Sequence, residues 1–410
     1  MPELHLFNPG HEMEILYSKS HYTPPYTVQK MSADLEMLPI WYAGAGTFTL
    51  VRNNRATQFI ASLPKTFRNN LSSPMILSLM MKELYKRKKD GIKPNLPHLE
   101  AVCWGISPRS ISVFHDLQQA GMEIDIPAWS EELLELTRRQ ISAEALKKLL
   151  EIFPIAPAPK IPQFFPDIEG IEGYLKEHNP PYVIKTPFSS SGRGLYWLNE
   201  NALDARATSW LSGALKKQLS VGIEPALNKV FDFATEFYSD GAGEISYAGL
   251  SIFETQQGQF IGCMLGSQES LLKRLNEYIS TEDYSFLVEQ VRTVLKEIVG
   301  TKYKGYMGVD MMIYQTEDKN YAVHPFVELN LRYTIGMAAM RFSQQFVHPA
   351  SQGMLRIVYY VYDAYKEHQR MAEASPIMIS SGKIRSGYYS LCPVSKDTHY
   401  LAIIDVFESY

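Results

Sequence analysis

The chain has few cysteines, and it lacks the long apolar runs that mark membrane-spanning proteins. Its 410 residues include only 3 cysteines, with no CxxC pair, which speaks against a disulfide framework and against a structural zinc site. No apolar run approaches the roughly 20 residues that a bilayer-spanning helix needs. The N-terminus also lacks the basic segment and apolar core of a signal peptide. These absences predict a cytoplasmic protein without a membrane partner.

Positive charge is not concentrated in any segment. The formal net charge is −4, and the most basic stretch, residues 82–93, is typical of a solvated helix end and loop. A nucleic-acid-binding surface would require a stripe of lysine and arginine, so the sequence predicts no nucleic-acid partner. The 45% of apolar and 20% of charged residues are typical of a globular protein, and the length suits two or three packed units.

Several common catalytic and nucleotide-binding motifs are missing as well. The sequence contains no P-loop motif and no complete GxGxxG, so it gives no support to a dinucleotide-binding fingerprint. No GxSxG, HExxH or kinase HRD motif occurs. The three consecutive serines at positions 189–191 do not predict a serine nucleophile, because no matched histidine base is evident.

The order of apolar and helical segments predicts the fold class. Over roughly the first 130 residues, short apolar runs alternate with helical stretches, a pattern typical of a parallel sheet with crossover helices. One of these runs, Leu38–Tyr42, predicts a strand. Residues 131–151 predict a helix, which a proline-rich extended segment follows. Further on, residues 347–373 predict a long helix, and the last segments of the chain predict a hairpin.

The segment YVIKTPFSSSGRG combines a strand with a loop of small residues. An apolar strand brings Lys185 to its end, and four residues later begins a run of serines with two glycines. Small residues let backbone N–H groups approach an anion closely, and the serine hydroxyls add donors. Lys185 supplies a point charge for a phosphate, and Arg193 a bidentate clamp. The pattern predicts a phosphate-binding loop; the alternative is a flexible surface loop beside an exposed lysine.

A second pattern lies in GYMGVDMMIY and YAVHPFVELN, two apolar strands joined by the polar turn QTEDKN. Glu328 and Asn330 are two residues apart and therefore share one face of a strand. In a hairpin, Asp310 pairs within a residue or two of Glu328. Three oxygen-bearing side chains among apolar neighbours favour a divalent-cation site over a solvated hairpin face. His324 has the same parity, but a lone histidine is usually structural, and it is not assigned as a ligand.

These motifs resemble the ATP-grasp superfamily, in the order VIKTPFSSSGRG, ATEFYSDG, GYMGVDMMIY and FVELNLR, over roughly residues 134–345. The resemblance implies a mixed α/β and α+β fold, in which two α+β subdomains grip ATP behind a Rossmann-like pre-ATP-grasp domain. The expected boundaries are 1–130 for the pre-domain, 131–225 for a linker helix and the small subdomain, and 226–410 for the large subdomain with a C-terminal helix and hairpin.

The resemblance also implies a role for each candidate residue, with ATP and Mg²⁺ or Mn²⁺ as cofactors. The nucleotide phosphates would contact Lys185 and a mobile loop formed by Ser189, Ser190, Ser191, Gly192, Arg193 and Gly194. The metal ligands would be Asp310, Glu328 and Asn330. The reacting phosphoryl group would contact Arg332, for which the alternative is a counter-ion of Glu328. Arg139 is the candidate for a nucleotide-binding basic residue, and Glu224 for an acidic residue near the adenine.

The activity that the resemblance implies is ligation of a small-molecule carboxylic acid to an amine through an acyl phosphate. A homodimer is one expected assembly. Three alternatives stay open: a phosphotransferase that uses the same site, a nucleotide-binding module without catalysis, and an α/β protein in which the loop and hairpin patterns are coincidental.

The N-terminal part offers a candidate site for the second substrate. Asn8, His11 and Glu12 follow the first predicted strand, and Trp104 and Arg109 follow a later one. Ligands of open α/β sheets bind at the carboxyl ends of strands, so these side chains are candidates for a substrate site facing the ATP cleft. Ordinary turn chemistry in Asn-Pro-Gly and Ser-Pro segments is the competing explanation.

Overall fold

The computed structural model of the protein describes residues 1–19, 21–93, 95–189 and 194–408. Its packing divides the chain into two compact units. The first unit consists of Met1–Trp129, Ile261–Leu271 and Arg332–Tyr410, and the second of Ser130–Phe260 and Leu272–Leu331. The segment after residue 331 thus groups with the N-terminal part, whereas the three consecutive domains with limits at 130 and 225 remain a prediction.

The first unit begins with a parallel sheet of strand order β3-β2-β1-β4-β5. Its strands are β1 (Glu3–Leu6), β2 (Phe48–Val51), β3 (Ser73–Ile76), β4 (Leu99–Cys103) and β5 (Ile124–Asp125). The helices are α1 (His11–Tyr17), α2 (Tyr26–Asp34), α3 (Pro39–Tyr42), α4 (Arg55–Ser62), α5 (Lys65–Arg68), α6 (Leu77–Lys89) and α7 (Pro108–Gln119). Buried apolar side chains of the sheet, α6 and α7 form its core. Parallel neighbours need such crossover connections, so the predicted alternation is confirmed.

The second unit contains two antiparallel arrays. The smaller has the order β6-β9-β7-β8, and the larger runs β14-β13-β10-β11 within this unit. The strands are β6 (Gln163–Phe165), β7 (Tyr182–Lys185), β8 (Leu195–Leu198), β9 (Val221–Pro225), β10 (Lys229–Asp240), β11 (Ile245–Gln256), β13 (Lys304–Gln315) and β14 (Tyr321–Asn330). The helices are α8 (Glu131–Leu136), α9 (Arg139–Ile152), α10 (Ile168–Glu177), α11 (Ala205–Gln218) and α13 (Thr281–Ile298). Helices α10 and α11 cover the smaller sheet, and α9 packs on β14.

The remaining elements complete the first unit, except that two of them cross its boundary. Strand β12 (Gln259–Leu265) and helix α12 (Gln268–Leu275) each begin in one unit and end in the other. The others are α14 (Ile335–Phe346), β15 (Ser351–Tyr359), α15 (Ala364–Ala374), β16 (Met378–Ser380), β17 (Lys383–Ser390) and β18 (Tyr400–Glu408). Strand β18 pairs antiparallel with β15 and β17, which confirms the predicted C-terminal hairpin.

Two secondary-structure predictions are wrong. Residues 38–42 contain helix α3 instead of a strand, because Pro39 is preorganised for a first helical turn and so short an apolar run does not distinguish the two states. The helix predicted over residues 347–373 is strand β15 followed by helix α15. Its first half is rich in β-branched and aromatic residues, which fit a strand. Gly353 also lets β15 approach β18 closely, since a Cβ there would lie 2.2 Å from the Asp405 carbonyl oxygen.

None of the helices in the described part of the chain combines the length and the apolar character that a membrane-spanning helix requires. The cysteines Cys103, Cys263 and Cys392 are buried thiols that take part in no disulfide. Burial raises the pKa of Cys103 to about 12, so this thiol is not ionised at neutral pH.

Candidate functional site

The β13–β14 hairpin brings the three predicted metal ligands to one face. Asp310 lies directly opposite Glu328 in the antiparallel register, and Gly308 lies opposite Asn330. Side chains two apart on a strand share a face, so Glu328 and Asn330 project to the same side as Asp310. Asp310 and Glu328 are half-buried, and Asn330 is buried. The predicted hairpin and its register are therefore confirmed.

The chemistry of this face fits a small hard cation. Carboxylate and amide oxygens are the protein ligands that Mg²⁺ takes, with water and phosphate oxygens completing its shell. Asp310 and Glu328 are adjacent carboxylates, and such a pair favours a nearby cation over mutual repulsion. No group of three or more His, Cys, Asp or Glu side chains is arranged to hold a metal anywhere in the described ranges. A metal here would thus rely on the Asn330 amide and on a ligand's phosphates.

The counter-ion of Glu328 is Arg139. Arg139 is the first residue of α9, and its Nη2 lies 3.0 Å from Oε1 and 3.1 Å from Oε2 of Glu328. Its Nη1 donates to the carbonyl oxygen of Thr186 at 3.0 Å. Arg332 instead donates from Nε to Glu12 Oε1 at 3.1 Å. The alternative role of Arg332 as the partner of Glu328 is therefore not the arrangement that the structure shows.

Lys185 and Glu224 form a buried ion pair in the smaller sheet. Lys185 ends β7, and Glu224 lies on the neighbouring antiparallel strand β9, opposite Val183. Residues 183 and 185 point to the same side of β7, which brings the lysine ammonium to the Glu224 carboxylate. The Lys185 side chain is 14% exposed and that of Glu224 is 8% exposed. The residue predicted for the phosphates and the one predicted for the adenine thus contact each other directly.

His324 on β14 lies within electrostatic range of the same ion pair, although its sequence context predicts only a structural histidine. Its side chain is buried, and its Nδ1 has no hydrogen-bond partner among the described residues. Burial lowers the pKa of His324 to about 4; the Glu224 carboxylate opposes this effect and Lys185 adds to it. The imidazole is therefore neutral near the Lys185–Glu224 pair. The available signal was its strand parity with Glu328, combined with apolar neighbours on both sides.

The neutral state of His324 makes stability depend on pH. Because the folded pKa of about 4 lies below the ordinary value of 6.5, the unfolded chain binds more protons between these values. The unfolding free energy should therefore fall as the pH drops below 6.5, with a slope approaching about 1.4 kcal/mol per pH unit. The unfolding free energy can be measured in urea at about pH 7 and at about pH 5. The decrease between the two pH values should be roughly 2 kcal/mol smaller in His324→Leu than in the unmodified protein.

The matched control for this measurement is His21→Leu, since His21 is exposed. That variant should keep the pH dependence of the unmodified protein. An equal loss of stability on acidification in His324→Leu and in the unmodified protein would show that His324 does not stay neutral in the fold.

The ends of the predicted phosphate loop lie close together. The Thr186 N–H donates to the Gly194 carbonyl at 2.9 Å. A Cβ on Gly194 would lie 2.2 Å from Thr186 Oγ1 and 2.5 Å from the Ser189 side chain, so any larger residue there would displace one of these side chains. The Ser189 hydroxyl is buried, and no described atom hydrogen-bonds to it. An unpartnered donor at this position suits an anion such as a phosphate. The other loop candidates lie outside the described residues: Ser190, Ser191, Gly192 and Arg193.

In the first unit, Arg332 and Glu12 form a charge pair that His11 extends. His11 Nδ1 lies 3.2 Å from Glu12 Oε2. Burial acts to raise the pKa of Glu12, but the charges of His11 and Arg332 together with hydrogen bonds to the carboxylate hold the pKa below its ordinary value. Burial lowers the pKa of His11. The ring of His11 packs on Gly105, where a Cβ would lie 2.2 Å from it. These groups supply a guanidinium and a carboxylate at the start of α1.

Glu14 accounts for two of the other N-terminal candidates. This buried carboxylate accepts hydrogen bonds from Ser107 Oγ at 2.6 Å, from Arg109 Nη1 at 3.0 Å and from Asn8 Nδ2 at 3.3 Å. Asn8 and Arg109 thereby tie α1 to the start of α7, as ordinary turn and cap chemistry would. Trp104 packs against Phe7 and Tyr333. The structure brings the five candidates together, and their role in substrate binding remains a prediction.

A cleft of about 440 Å³ lies elsewhere in the second unit, between α8, α9 and α13. Its walls carry ion pairs, including Lys302 with Glu132 at 3.2 Å and Lys148 with Glu297 at 3.3 Å. It uses the face of α9 with Gln140, Glu144 and Lys148, whereas Arg139 points to Glu328. None of the predicted site residues that the structure describes lines this cleft.

Comparison with solved structures finds proteins with a similar fold, whereas comparison by sequence finds no match. No protein-family profile matches the sequence, and no curated protein sequence matches it. Among solved structures, the biotin carboxylase of Campylobacter jejuni in a β-γ-ATP complex aligns over 100% of this chain and 88% of its own, with a TM-score of 0.53 and 10% identity. The biotin carboxylase domain of Hydrogenobacter thermophilus 2-oxoglutarate carboxylase, in complex with MgADP, ADP and bicarbonate, aligns over 100% of this chain and 86% of its own, with a TM-score of 0.51 and 13% identity.

Proposed function

We propose, on the premise that the fold shared with the two biotin carboxylases is that of the ATP-grasp superfamily, that this chain is an ATP- and Mg²⁺-dependent ligase that joins a carboxylic acid to an amine. The observation that carries the proposal is the β13–β14 hairpin, which presents Asp310, Glu328 and Asn330 on one face. The two solved structures of this fold contain β-γ-ATP and MgADP, which supports nucleotide chemistry here.

The second unit supplies the charges that such a reaction needs. Lys185 and Arg139 are cations suited to nucleotide phosphates. The Ser189 hydroxyl, four residues after Lys185, is a donor without a hydrogen-bond partner among the described residues. When bound, Mg²⁺ neutralises phosphate charge and polarises the transferring phosphoryl group. The contribution of the protein is positioning and electrostatic stabilisation, because phosphoryl transfer requires little covalent chemistry from side chains.

The proposed reaction has two steps. A carboxylate oxygen of the acid attacks the γ-phosphorus of ATP, the bond to the β-phosphate oxygen breaks, and ADP leaves an acyl phosphate. The amine nitrogen then attacks the acyl carbon, loses a proton, and expels phosphate as the amide bond forms. Arg332 and Arg193 are the residues proposed to stabilise charge on the phosphoryl group. Exclusion of water by the loop that begins at Ser189 would protect the acyl phosphate from hydrolysis.

A screen for ADP release tests this function directly. The purified protein is incubated with ATP and Mg²⁺ and with pools of small carboxylic acids, each pool with and without amino acids as the amine source. ADP release that needs both components, with a product whose mass is that of acid plus amine less water, supports the ligase. A phosphorylated product formed without an amine would instead establish a phosphotransferase. ATP binding without turnover in any pool would favour a nucleotide-binding module.

The finer parts of the assignment belong to the same proposal. The parallel sheet of the first unit is proposed as the pre-ATP-grasp domain, and β6–β9 as part of the small subdomain. The Hydrogenobacter thermophilus domain is a dimer, and a homodimer of this chain remains a prediction. A cytoplasmic location is likewise the expectation from the sequence.

A further inference from the structure

The first residue of helix α9, Arg139, connects the β13–β14 hairpin with the segment after β7 through its buried guanidinium. The Arg139 side chain is 8% exposed and bridges the Glu328 carboxylate on β14 and the Thr186 carbonyl oxygen after β7. The Arg139 backbone N–H also donates to the Pro187 carbonyl oxygen at 3.1 Å. One residue thus contacts the predicted metal-binding strand and the segment that leads into the predicted phosphate loop.

A second residue of α9 fixes the same strand. Ser142 lies one turn after Arg139, and its Oγ accepts a hydrogen bond from the Leu329 N–H at 2.9 Å. Leu329 lies between Glu328 and Asn330, and Ser142 is buried. The main chain of β14 is therefore anchored to α9 at Leu329. Because of this anchor, the backbone of Glu328 has little freedom to move away from Arg139.

The other contact of Arg139 leads to the phosphate loop. Thr186, whose carbonyl oxygen Arg139 binds, pairs through its N–H with the Gly194 carbonyl at the far end of the loop. A guanidinium binds phosphate oxygens at least as well as it binds a carboxylate, often in a bidentate manner. Phosphates bound next to Thr186 would therefore have the Arg139 guanidinium within the same contact network.

We propose that Arg139 couples metal binding to nucleotide binding, because it competes with the divalent ion for the Glu328 carboxylate until nucleotide phosphates draw it away. This inference rests on the proposed function of the site. Arg139 holds both oxygens of Glu328, and a divalent cation at those oxygens would meet the repulsion of the guanidinium charge. Phosphates that take over Arg139 release the carboxylate for the ion. By linkage, the bound ion then strengthens nucleotide binding to the same extent.

The test is a titration with Mn²⁺ in the absence of nucleotide, in which the EPR signal of free Mn²⁺ reports how much of the ion is bound. The variant Arg139→Gln should bind Mn²⁺ about tenfold more tightly than the unmodified protein, the size typical of a coupling between sites. Arg138→Gln is the matched control, since Arg138 lies over the Phe188 ring and beside Glu135. It removes an equal charge one residue away and should change the affinity less than about twofold.

Two further variants keep the test decisive. Arg139→Lys retains the charge on a shorter reach that does not bridge both partners, and it should give an intermediate affinity even if Arg139→Gln folds poorly. The double variant Arg139→Gln/Glu328→Gln should not show the increase in Mn²⁺ affinity that is expected of Arg139→Gln. Unchanged or weaker Mn²⁺ binding in folded Arg139→Gln would overturn the competition. Absence of both Mn²⁺ binding and an ATP-induced thermal shift in the unmodified protein would instead contradict the proposed function itself.

Discussion

Replacing Asp310 with asparagine should lower the rate of ADP release by roughly a hundredfold to a thousandfold, the usual effect of removing one group that stabilises a transferring charge. The substitution keeps the size of the side chain and removes the negative charge that a divalent ion would contact. Asp310 lies opposite Glu328 on paired strands, so the hairpin should persist. Steady-state ADP release under saturating ATP and Mg²⁺, with the substrates that the screen identifies, measures the effect.

The control for this variant lies in the turn of the same hairpin. Asp318 is exposed between β13 and β14, and Asp318→Asn removes the same charge from the same hairpin without touching the candidate site. It should leave ADP release unchanged. Asp310→Asn is preferred to Glu328→Gln, because the latter also deprives Arg139 of its partner and mixes two effects. Full activity in Asp310→Asn would contradict a role of the β13–β14 hairpin in the reaction.

The hairpin was predictable because its information is local. Period-two spacing placed Glu328 and Asn330 on one face, and the polar turn fixed which residue of β13 lies opposite. The role of Arg139 as the counter-ion of Glu328 was not predictable, since the two residues are 189 positions apart in sequence and meet only through the packing of α9 on β14. Arg332 was the alternative counter-ion of Glu328, but β14 ends at Asn330, so the alternation of a strand no longer fixes the direction of the side chain at residue 332.

Buried residues without an obvious chemical signal were harder still. Ser142 looks like an ordinary helix residue, although its three-residue spacing from Arg139 places both on the face of α9 that is turned to β14. His324 was set aside because a single histidine on an apolar strand is usually structural, and its proximity to Lys185 and Glu224 arises from tertiary packing. The error at residues 347–373 has the same cause, because the pairing of β15 with the distant strand β18 is also a tertiary contact.

Replacing Lys185 with methionine should destabilise the fold by about 3 kcal/mol, because it leaves the Glu224 carboxylate buried without a partner. The same variant should lose the thermal stabilisation that ATP and Mg²⁺ confer, since it lacks the cation proposed for the phosphates. The free energy of unfolding in urea and the melting temperature with and without ATP and Mg²⁺ report the two effects separately. Lys216→Met, at an exposed lysine of α11, should change neither quantity.

A double variant separates stability from ligand binding. Lys185→Met/Glu224→Gln removes both charges, and it should recover most of the lost stability because no uncompensated charge remains buried. It should still lack the stabilisation by ATP, because the ammonium group is absent. Full ATP stabilisation in either variant would mean that Lys185 is only a structural partner of Glu224. Loss of ATP stabilisation in the stable double variant is therefore the result that assigns the lysine to the nucleotide, since a poorly folded protein no longer explains it.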